Sequence, residues 1–200
     1  GEDTASTESK LLALQTKQLL DTIVCFAETN NTVAKCDVTF SEMWHETYSQ
    51  EDGTIMESVV FPSQQLELIC SGPHIAVANP FAKTPRNICK EKGDYDCIDL
   101  ENIPDIYYPR TKYAINVTPQ EYIKRCGTAY DAPYCRFVKI VSRKMLNLKQ
   151  ERTFNVAFLP EEVGHINGLV SVVFREPYNQ YICGSSWASI PFDFYVKVMG

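Results

Sequence analysis

Helical spacing of apolar residues predicts four helices along the chain. Residues 4–29 hold leucine, isoleucine and valine at helical intervals, with no proline or glycine between them. Residues 118–121 combine an N-capping threonine, a proline at the first helical position and a glutamate three residues after the cap, which together favour the start of a helix. The i, i+3, i+4, i+7 pattern over 133–148 predicts a helix with a basic outer face, and a last helix is predicted to start near 189–191.

Runs of β-branched and aromatic residues predict short strands between these helices. Residues 153–159 and 169–175 are typical of buried strands, and 51–60 begins with a turn signal followed by a β-branched run. Residues 66–71 and 74–78 are predicted to be two strands separated by a Ser-Gly-Pro turn.

Four prolines interrupt residues 79–112, which are therefore predicted to be loop. Together these elements predict an α+β fold, in which helices mix with a short, partly antiparallel sheet in a single compact domain. We divide the chain into an N-terminal helical segment, residues 1–40, and a mixed α+β region, residues 41–200.

The composition fits one globular domain and excludes several classes of protein. The chain has 200 residues, of which 44% are hydrophobic, and such a chain can build its own core. No apolar run approaches the roughly 18–20 residues that cross a membrane, so we expect no membrane partner. Disorder is excluded because apolar and aromatic residues are spread along the whole sequence. The chain starts at Gly1 without a signal peptide and ends in an apolar stretch, so we expect it to be part of a larger protein.

Eight cysteines leave two redox states open. None of them forms a C-x-x-C pair, and several lie in apolar runs, where a free cysteine acts as a small hydrophobic residue. The even number, together with glycosylation sequons at Asn30 and Asn116, keeps a secreted, disulfide-bonded binding domain as an alternative. The missing signal peptide favours a reduced, cytoplasmic protein. His45, His74 and His165 show no metal-ligand spacing and are expected to have structural or surface roles.

The charge is distributed unevenly along the chain, although the total is −6. Residues 1–82 carry a net charge of −9 and residues 153–200 a net charge of −2, whereas residues 83–152 hold 14 basic and nine acidic side chains, a net +5. Such a local basic region allows an acidic protein to present one face to phosphate groups. A solvated loop and helix surface would give the same count, so the charge by itself leaves both interpretations open.

The sequence contains no G-x-S-x-G nucleophile, no P-loop and no G-x-G-x-x-G nucleotide loop. The tripeptide Asn79-Pro80-Phe81 is similar to the Asn/Asp-Pro-Pro-aromatic signature of adenine-N6 methyltransferases, in which the polar side chain binds the amino group of a flipped adenine. Here one proline is missing, and no glycine-rich turn suited to S-adenosylmethionine is present. A turn that ends a strand is the simpler interpretation.

Residues 42–200 contain an ordered series of short blocks, each of them weak alone. The blocks are WHE at 44–46, SGPH at 71–74, NPFAKTPR at 79–86, YDCIDL at 95–100, YPRTKY at 108–113, SRKM at 142–145, ERT at 151–153, GHIN at 164–167 and PFDFY at 191–195. In this order the series resembles large bacterial adenine-specific DNA methyltransferases of the type IIG-like restriction–modification and related phage-defence systems.

In enzymes of that family the methyl-donor site and the Asn-Pro-Pro-aromatic motif lie upstream of a region used for target recognition. The resemblance therefore implies a target-recognition part of a bacterial, cytoplasmic adenine-N6 methyltransferase, without a catalytic site of its own. It implies double-stranded DNA and the upstream methyltransferase domain as partners, and S-adenosylmethionine as a cofactor of the parent enzyme alone. A scaffold or protein-interaction domain of the same enzyme, without DNA contact, is the alternative. Whether the parent enzyme also cleaves DNA stays open.

Under this resemblance, the basic region between residues 83 and 152 is the part that contacts DNA. Arg86 and Arg110 are predicted to read guanine or to contact phosphate, because nearby prolines fix the backbone and allow the side chains to be directed outward. Lys139, Arg143 and Lys144 are placed on the exposed face of the predicted helix 133–148. For each cation, an ion pair with a nearby carboxylate is the alternative. The predicted DNA-binding residues are Lys83, Thr84, Arg86, Arg110, Thr111, Lys112, Arg143 and Lys144.

Overall fold

Helices and short strands alternate along the described chain, which confirms the predicted α+β class. The computed structural model describes residues 16–30 and 32–199. The helices are α1 (Lys17–Ala27), α2 (Glu46–Glu51), α3 (Pro119–Arg125), α4 (Pro177–Trp187) and α5 (Ile190–Met199). The strands are β1 (Val38–Ser41), β2 (Ile55–Val60), β3 (Ile69–Cys70), β4 (Lys83–Pro85), β5 (Tyr95–Cys97), β6 (Thr111–Ile115), β7 (Thr128–Ala129), β8 (Ala132–Pro133), β9 (Lys139–Arg143), β10 (Val156–Leu159), β11 (Gly164–His165) and β12 (Leu169–Phe174).

Four of these strands form an antiparallel sheet in the spatial order β1-β12-β9-β10. Ile140 of the inner strand β9 pairs with Val172 of β12 and with Phe158 of β10. Helix α4 covers the side of the sheet on which the side chains of Ile140 and Phe158 lie. There Gly184 is so close to both that an added Cβ atom would collide with Phe158. Helix α5 is joined to the same region through the buried Asp193, which accepts hydrogen bonds from the backbone N–H groups of Thr153 and Phe154, just before β10.

The opposite side of the sheet packs against a layer of small two-stranded sheets. Val141 of β9 belongs to a buried cluster with Cys70 of β3 and with Ile75. In this layer β3 pairs with β11 in parallel, while β2 pairs with β6 and β4 pairs with β5 in antiparallel fashion. Most of the predicted DNA-binding residues lie in this layer.

The predicted helix over 133–148 is wrong. This segment forms β8, a 3-10 turn at Tyr134–Arg136 and the inner strand β9. Ile140 and Val141 are adjacent in sequence, yet both are buried, because they face opposite sides of a sheet that is covered on both sides. Pairing with β12 and β10 therefore outweighs the local helical spacing. As a consequence Lys139 is fully buried instead of lying on an exposed helix face.

Two strand and loop assignments also differ from the prediction. Residues 74–78 are not a strand, since a 3-10 turn at Gly72–His74 is followed by a further turn around 76–79. Residues 79–112 are not loop throughout, because they contain the β4–β5 pair and the first residues of β6. Pro85 is accommodated in β4 because this strand has only one neighbour, so one edge needs no N–H donor.

Predictions from strong local signals are confirmed. Thr118 caps α3, and its hydroxyl accepts a hydrogen bond from the backbone N–H of Glu121 at 3.3 Å. The last helix begins at Ile190, and β10 and β12 lie within the predicted strands 153–159 and 169–175.

The prediction for the N-terminal segment can be compared with the structure only in part. Helix α1 lies within the predicted helix 4–29, and residues 4–15 of that prediction lie outside the described residues. The expected division at residue 40 falls inside β1, which pairs with β12 of the central sheet. Helix α4 has no counterpart among the predicted elements.

Candidate nucleic-acid interface

A groove of about 630 Å³ opens on the layer of two-stranded sheets and collects basic side chains from four separate segments. One wall is formed by the turn at Gly72–His74, and the other by the segment that follows β9 together with Gly168. The basic residues that line it are Lys83, Lys90, Lys92, Lys112 and Arg143. A concave surface with several cations is suited to a ligand that carries repeated negative charge.

Lys83 and Lys112 reach the groove from strands. Lys83 begins β4, opposite Cys97 of β5. Lys112 lies in β6 between the buried residues Thr111 and Tyr113, so the alternation of the strand turns its side chain to the other face. The ammonium of Lys112 lies 3.1 Å from a carboxylate oxygen of Glu57.

Arg143 reaches the groove from the end of β9 and is held there by the backbone. Its Nε donates a hydrogen bond to the carbonyl of Gly72 at 3.0 Å, and its Nη2 donates to the carbonyl of Ile75 at 2.5 Å. Partial burial lowers the pKa of the Arg143 guanidinium, although such a group stays charged in proteins. The positive charge is therefore fixed in one place.

A buried polar network holds the turn that binds Arg143. The backbone N–H of Ser71 donates to Nδ1 of His74 at 3.1 Å, so the proton of this neutral imidazole sits on Nε2, which donates to the carbonyl of Arg110 at 3.0 Å. The Ser71 hydroxyl also lies 2.7 Å from the hydroxyl of Tyr95. Burial lowers the pKa of His74, which keeps the ring neutral. The network joins the turn to β5 and to the start of β6.

Most cations of the groove have no acidic partner within the protein. Within residues 16–30 and 32–199, Lys83, Lys90, Lys92 and Arg143 have no carboxylate within 4.0 Å, and Lys112 is the one groove cation that does. Outside the groove, other lysines of the described residues, such as Lys17, Lys35 and Lys124, are likewise without a carboxylate within 4.0 Å. Six basic residues there do form ion pairs: Arg86–Asp96, Arg125–Glu121, Arg136–Glu162, Lys144–Glu42, Arg152–Asp193 and Arg175–Asp37. Two carboxylates, Glu46 and Glu91, also line the groove, and Glu46 accepts a hydrogen bond from the Tyr113 hydroxyl. The groove thus keeps an excess of positive charge.

Three of the eight predicted DNA-binding residues meet in this groove: Lys83, Lys112 and Arg143. Thr84 and Thr111 are buried, and their hydroxyls bind within the protein, to the backbone N–H of Arg110 and to the carbonyl of Tyr113. Lys144 forms an ion pair with Glu42.

Arg86 and Arg110, the two arginines predicted to read guanine or to contact phosphate, lie outside the lining of the groove. Arg86 is exposed and pairs with Asp96 at 2.9 Å. Arg110 donates from Nε to the carbonyl of Pro85 at 2.7 Å, and its guanidinium carbon lies 5.6 Å from the ring centre of Phe61. For Arg86, the alternative of an ion pair within the protein is therefore present in the structure.

Sequence reasoning did not select Lys90 and Lys92. Both belong to the basic region 83–152, and they flank Glu91 just before Gly93, in a turn that Asp94 closes by accepting the backbone N–H groups of Lys90 and Glu91. The Lys-Glu-Lys-Gly sequence is a turn signal. However, only the folded chain places that turn beside Lys83 and Arg143.

The Asn79-Pro80-Phe81 tripeptide forms a turn. The side-chain oxygen of Asn79 accepts the backbone N–H of Phe81 at 2.9 Å, and Phe81 packs against the buried cluster around Val141. Ala78 has a positive φ of 59°, which fits a tight reversal of the chain.

Three further features of the part of the chain described by the structure concern metal-ligating groups, membrane-spanning helices and the buried His165. No group of three or more histidine, cysteine, aspartate or glutamate side chains among residues 16–30 and 32–199 is arranged to hold a metal ion. No helix among these residues is long and apolar enough to cross a membrane. Burial lowers the pKa of His165 to about 4, and its Nε2 lies 2.7 Å from the Ser171 hydroxyl, so this ring is a neutral part of the core.

Comparison with known proteins returned no match among models of protein families, curated proteins or solved structures.

Proposed function

We propose that this chain binds double-stranded DNA as the target-recognition part of an adenine-specific DNA methyltransferase. The observation that carries the proposal is the groove, in which five cations meet and four lack a carboxylate partner among the described residues. The ordered blocks between 42 and 200, which resemble this family of methyltransferases, support the same interpretation.

The groove suits the sugar–phosphate backbone of one strand better than the edges of bases. Lysine side chains are long and flexible, and they neutralise phosphates without recognising a sequence. Lys83, Lys90 and Lys92 would therefore supply affinity and fix the position of the chain on the duplex. Under this proposal the acidic surfaces elsewhere, which give the chain its net charge of −6, restrict DNA to this face.

The proposed role needs no reaction on this chain. The methyl donor S-adenosylmethionine and the catalytic Asn-Pro-Pro-aromatic motif would belong to the upstream methyltransferase domain, and the parent enzyme would act in the bacterial cytoplasm. The upstream domain would then be the second partner besides DNA.

The test is duplex binding as a function of salt concentration. A triple variant, K83Q/K90Q/K92Q, removes three charges from the groove, and the matched variant K17Q/K35Q/K124Q removes three charges from other surfaces. We expect the groove variant to reduce the slope of log affinity against log salt by about three, one for each lysine, on a duplex of about 30 base pairs. Fluorescence anisotropy measures both affinities.

The matched control decides between a local and a general charge effect. Equal losses of affinity in the two triple variants would mean that only net charge matters, and the groove would have no special role. Absence of duplex binding by the unaltered chain at low salt would reject the DNA-binding function.

A second candidate, a protein-interaction domain of the same enzyme, is favoured by exposed apolar residues on the helical side. Tyr178 of α4 is 75% exposed and Ile190 of α5 is 73% exposed, and Tyr181 and Ile182 of α4 are exposed as well. Tyr178 and Ile182 are four residues apart and share one face of the helix, and exposed apolar surface of this kind is suited to protein contact. Under this alternative, Y178S/I182S would abolish association with the upstream methyltransferase domain, and no duplex binding would be found.

A further inference from the structure

Resting on the proposed DNA-binding function, we propose that Arg143 forms a preorganised subsite that binds one phosphate group through the free edge of its guanidinium. The lysines of the groove would provide general attraction, whereas this residue would fix which phosphate of the strand lies at the turn Gly72–His74. Arg143 would thereby set the register of the chain on DNA.

The hydrogen bonds of Arg143 leave the required donors free. A guanidinium carries five N–H groups in a planar fork. One on Nε and one on Nη2 are used by the carbonyls of Gly72 and Ile75, which leaves three, on Nη1 and Nη2. These two nitrogens form the end of the fork, and two parallel N–H groups at that end match the spacing of two oxygens of a phosphate.

The position of this fork is fixed before any ligand arrives. The backbone N–H of Arg143 donates to the carbonyl of Asn155 at 3.1 Å at the end of the sheet. At the other end of the side chain, the carbonyls of Gly72 and Ile75 lie on either side of His74, whose buried ring ties this turn to the start of β6. A side chain restrained at both ends loses little conformational entropy when it binds.

Phosphate is the ligand chemistry that this surrounding favours. No carboxylate lies within 4.0 Å of the Arg143 guanidinium among the described residues, and Lys83 and Lys90 line the same groove. Either a phosphodiester of DNA or a free phosphate has the charge and oxygen geometry to fit. The proposal assigns the subsite to the phosphodiester, and the experiment separates the two sources.

The space beside Arg143 allows a steric test that changes no charge. Gly72 and Gly168 both line the groove, and a Cβ atom added at either glycine would meet no atom within 4 Å. Neither glycine has the positive φ that disfavours other residues. Position 168 therefore has room for a Cβ atom, and we expect a leucine side chain built on it to extend into the groove.

The first experiment combines variants of Arg143 with duplexes in which a single phosphate is replaced by a neutral methylphosphonate at each position in turn. We expect the unaltered chain to lose about tenfold in affinity at one position, and R143Q to be insensitive to replacement at that same position. R143K should behave like R143Q, because lysine keeps the charge but lacks the fork. K124Q, altered on α3, should keep the position-specific loss.

Equal sensitivity of R143K and the unaltered chain at every position would overturn the subsite, since charge alone would then suffice. If the duplex is bound but no single phosphate matters, the subsite is rejected and the DNA-binding function is kept. If the unaltered chain does not bind the duplex, both proposals fall. The two sources of phosphate are separated by competition with inorganic phosphate or a mononucleotide, added at constant ionic strength. Complete loss of duplex binding under these conditions would assign the subsite to free phosphate instead.

G168L keeps the inference testable if the Arg143 variants fold poorly. We expect an unchanged melting temperature and at least a tenfold loss of duplex affinity, because the leucine side chain blocks access to the fork without removing a charge. Unchanged affinity of G168L would contradict the proposal.

Discussion

Two regions of the molecule each contain a buried histidine, tyrosine and serine joined by hydrogen bonds, and the two groups have different roles. His165 of β11 and Tyr134 both hydrogen-bond to the hydroxyl of Ser171 in β12 of the central sheet, at 2.7 and 2.9 Å. In the wall of the groove, His74 and Tyr95 both hydrogen-bond to the hydroxyl of Ser71, at 3.1 and 2.7 Å. The first network lies within a large apolar core, whereas the second holds a turn whose carbonyls bind Arg143.

The difference shows two ways of making a region rigid. The sheet is stabilised by apolar burial on both of its sides, where Ile140 and Val141 belong to separate clusters. The turn at Gly72–His74 in the groove wall is held by hydrogen bonds of the His74 ring and the Ser71 hydroxyl. This ordered turn presents two backbone carbonyls to Arg143.

The largest expected effect on stability comes from truncating a buried apolar side chain of the central sheet. Ile140→Ala removes a fully buried side chain between α4 and the inner strands, and should lower the free energy of unfolding by about 4 kcal/mol. Urea denaturation followed by circular dichroism measures it. A loss below about 1 kcal/mol would mean that apolar burial between α4 and the sheet contributes little to stability.

Acid should weaken both networks, because both histidines are held neutral. Burial lowers the pKa of His165 to about 4, from 6.5 in the unfolded chain. The unfolded state therefore binds more protons below pH 6.5, and stability, fully present above that pH, falls as the pH drops towards 4. We expect His165 to account for a loss of about 2 kcal/mol between pH 6.5 and about pH 5, and His74, whose pKa burial also lowers, to contribute a loss in the same direction.

Denaturation curves across this range, with H165N as the comparison, test the pH dependence. The variant should show a shallower decline than the unaltered chain. A flat profile for the unaltered chain would show that the His165 ring accepts a proton without unfolding.

We expect that a methyl group added at position 184 of α4 destabilises the protein, because the helix packs closely on the sheet there. Gly184→Ala places a Cβ against Phe158 and Ile140, and should cost about 2 kcal/mol through overpacking. Gly168→Ala, at a glycine with open space around it, is the matched control and should leave the melting temperature unchanged. A similar loss in both variants would point to glycine flexibility instead of packing.

The smallest effect distinguishes the two networks most directly. Ser171→Ala and Ser71→Ala each leave a buried tyrosine hydroxyl without its partner, and each should cost about 1 kcal/mol of stability. Only Ser71→Ala should also weaken duplex binding, by about threefold, because it loosens the turn that holds Arg143. Equal duplex affinity of the two variants would remove the link between the groove wall and binding.

Several elements could be predicted because their signals lie within a few residues. The cap of α3 needs only the Thr118 hydroxyl and a backbone N–H three residues later, and the start of α5 is similarly local. The basic region was also visible, since charges can be counted directly. In contrast, β9 could not be distinguished from a helix, because a segment buried on both sides shows no alternation between apolar and polar residues.

The sequence by itself determined the α+β class, the starts of α3 and α5 and the concentration of positive charge between residues 83 and 152. Only the tertiary structure decided which of these charged side chains lie together in the groove. Lys83, Lys90 and Arg143 are separated by up to 60 positions and converge through strand pairing and one buried turn, whereas Lys139, four residues before Arg143, is enclosed in the core. Local hydrogen bonds depend on neighbouring residues, but the neighbours of a strand are chosen by packing across the whole chain.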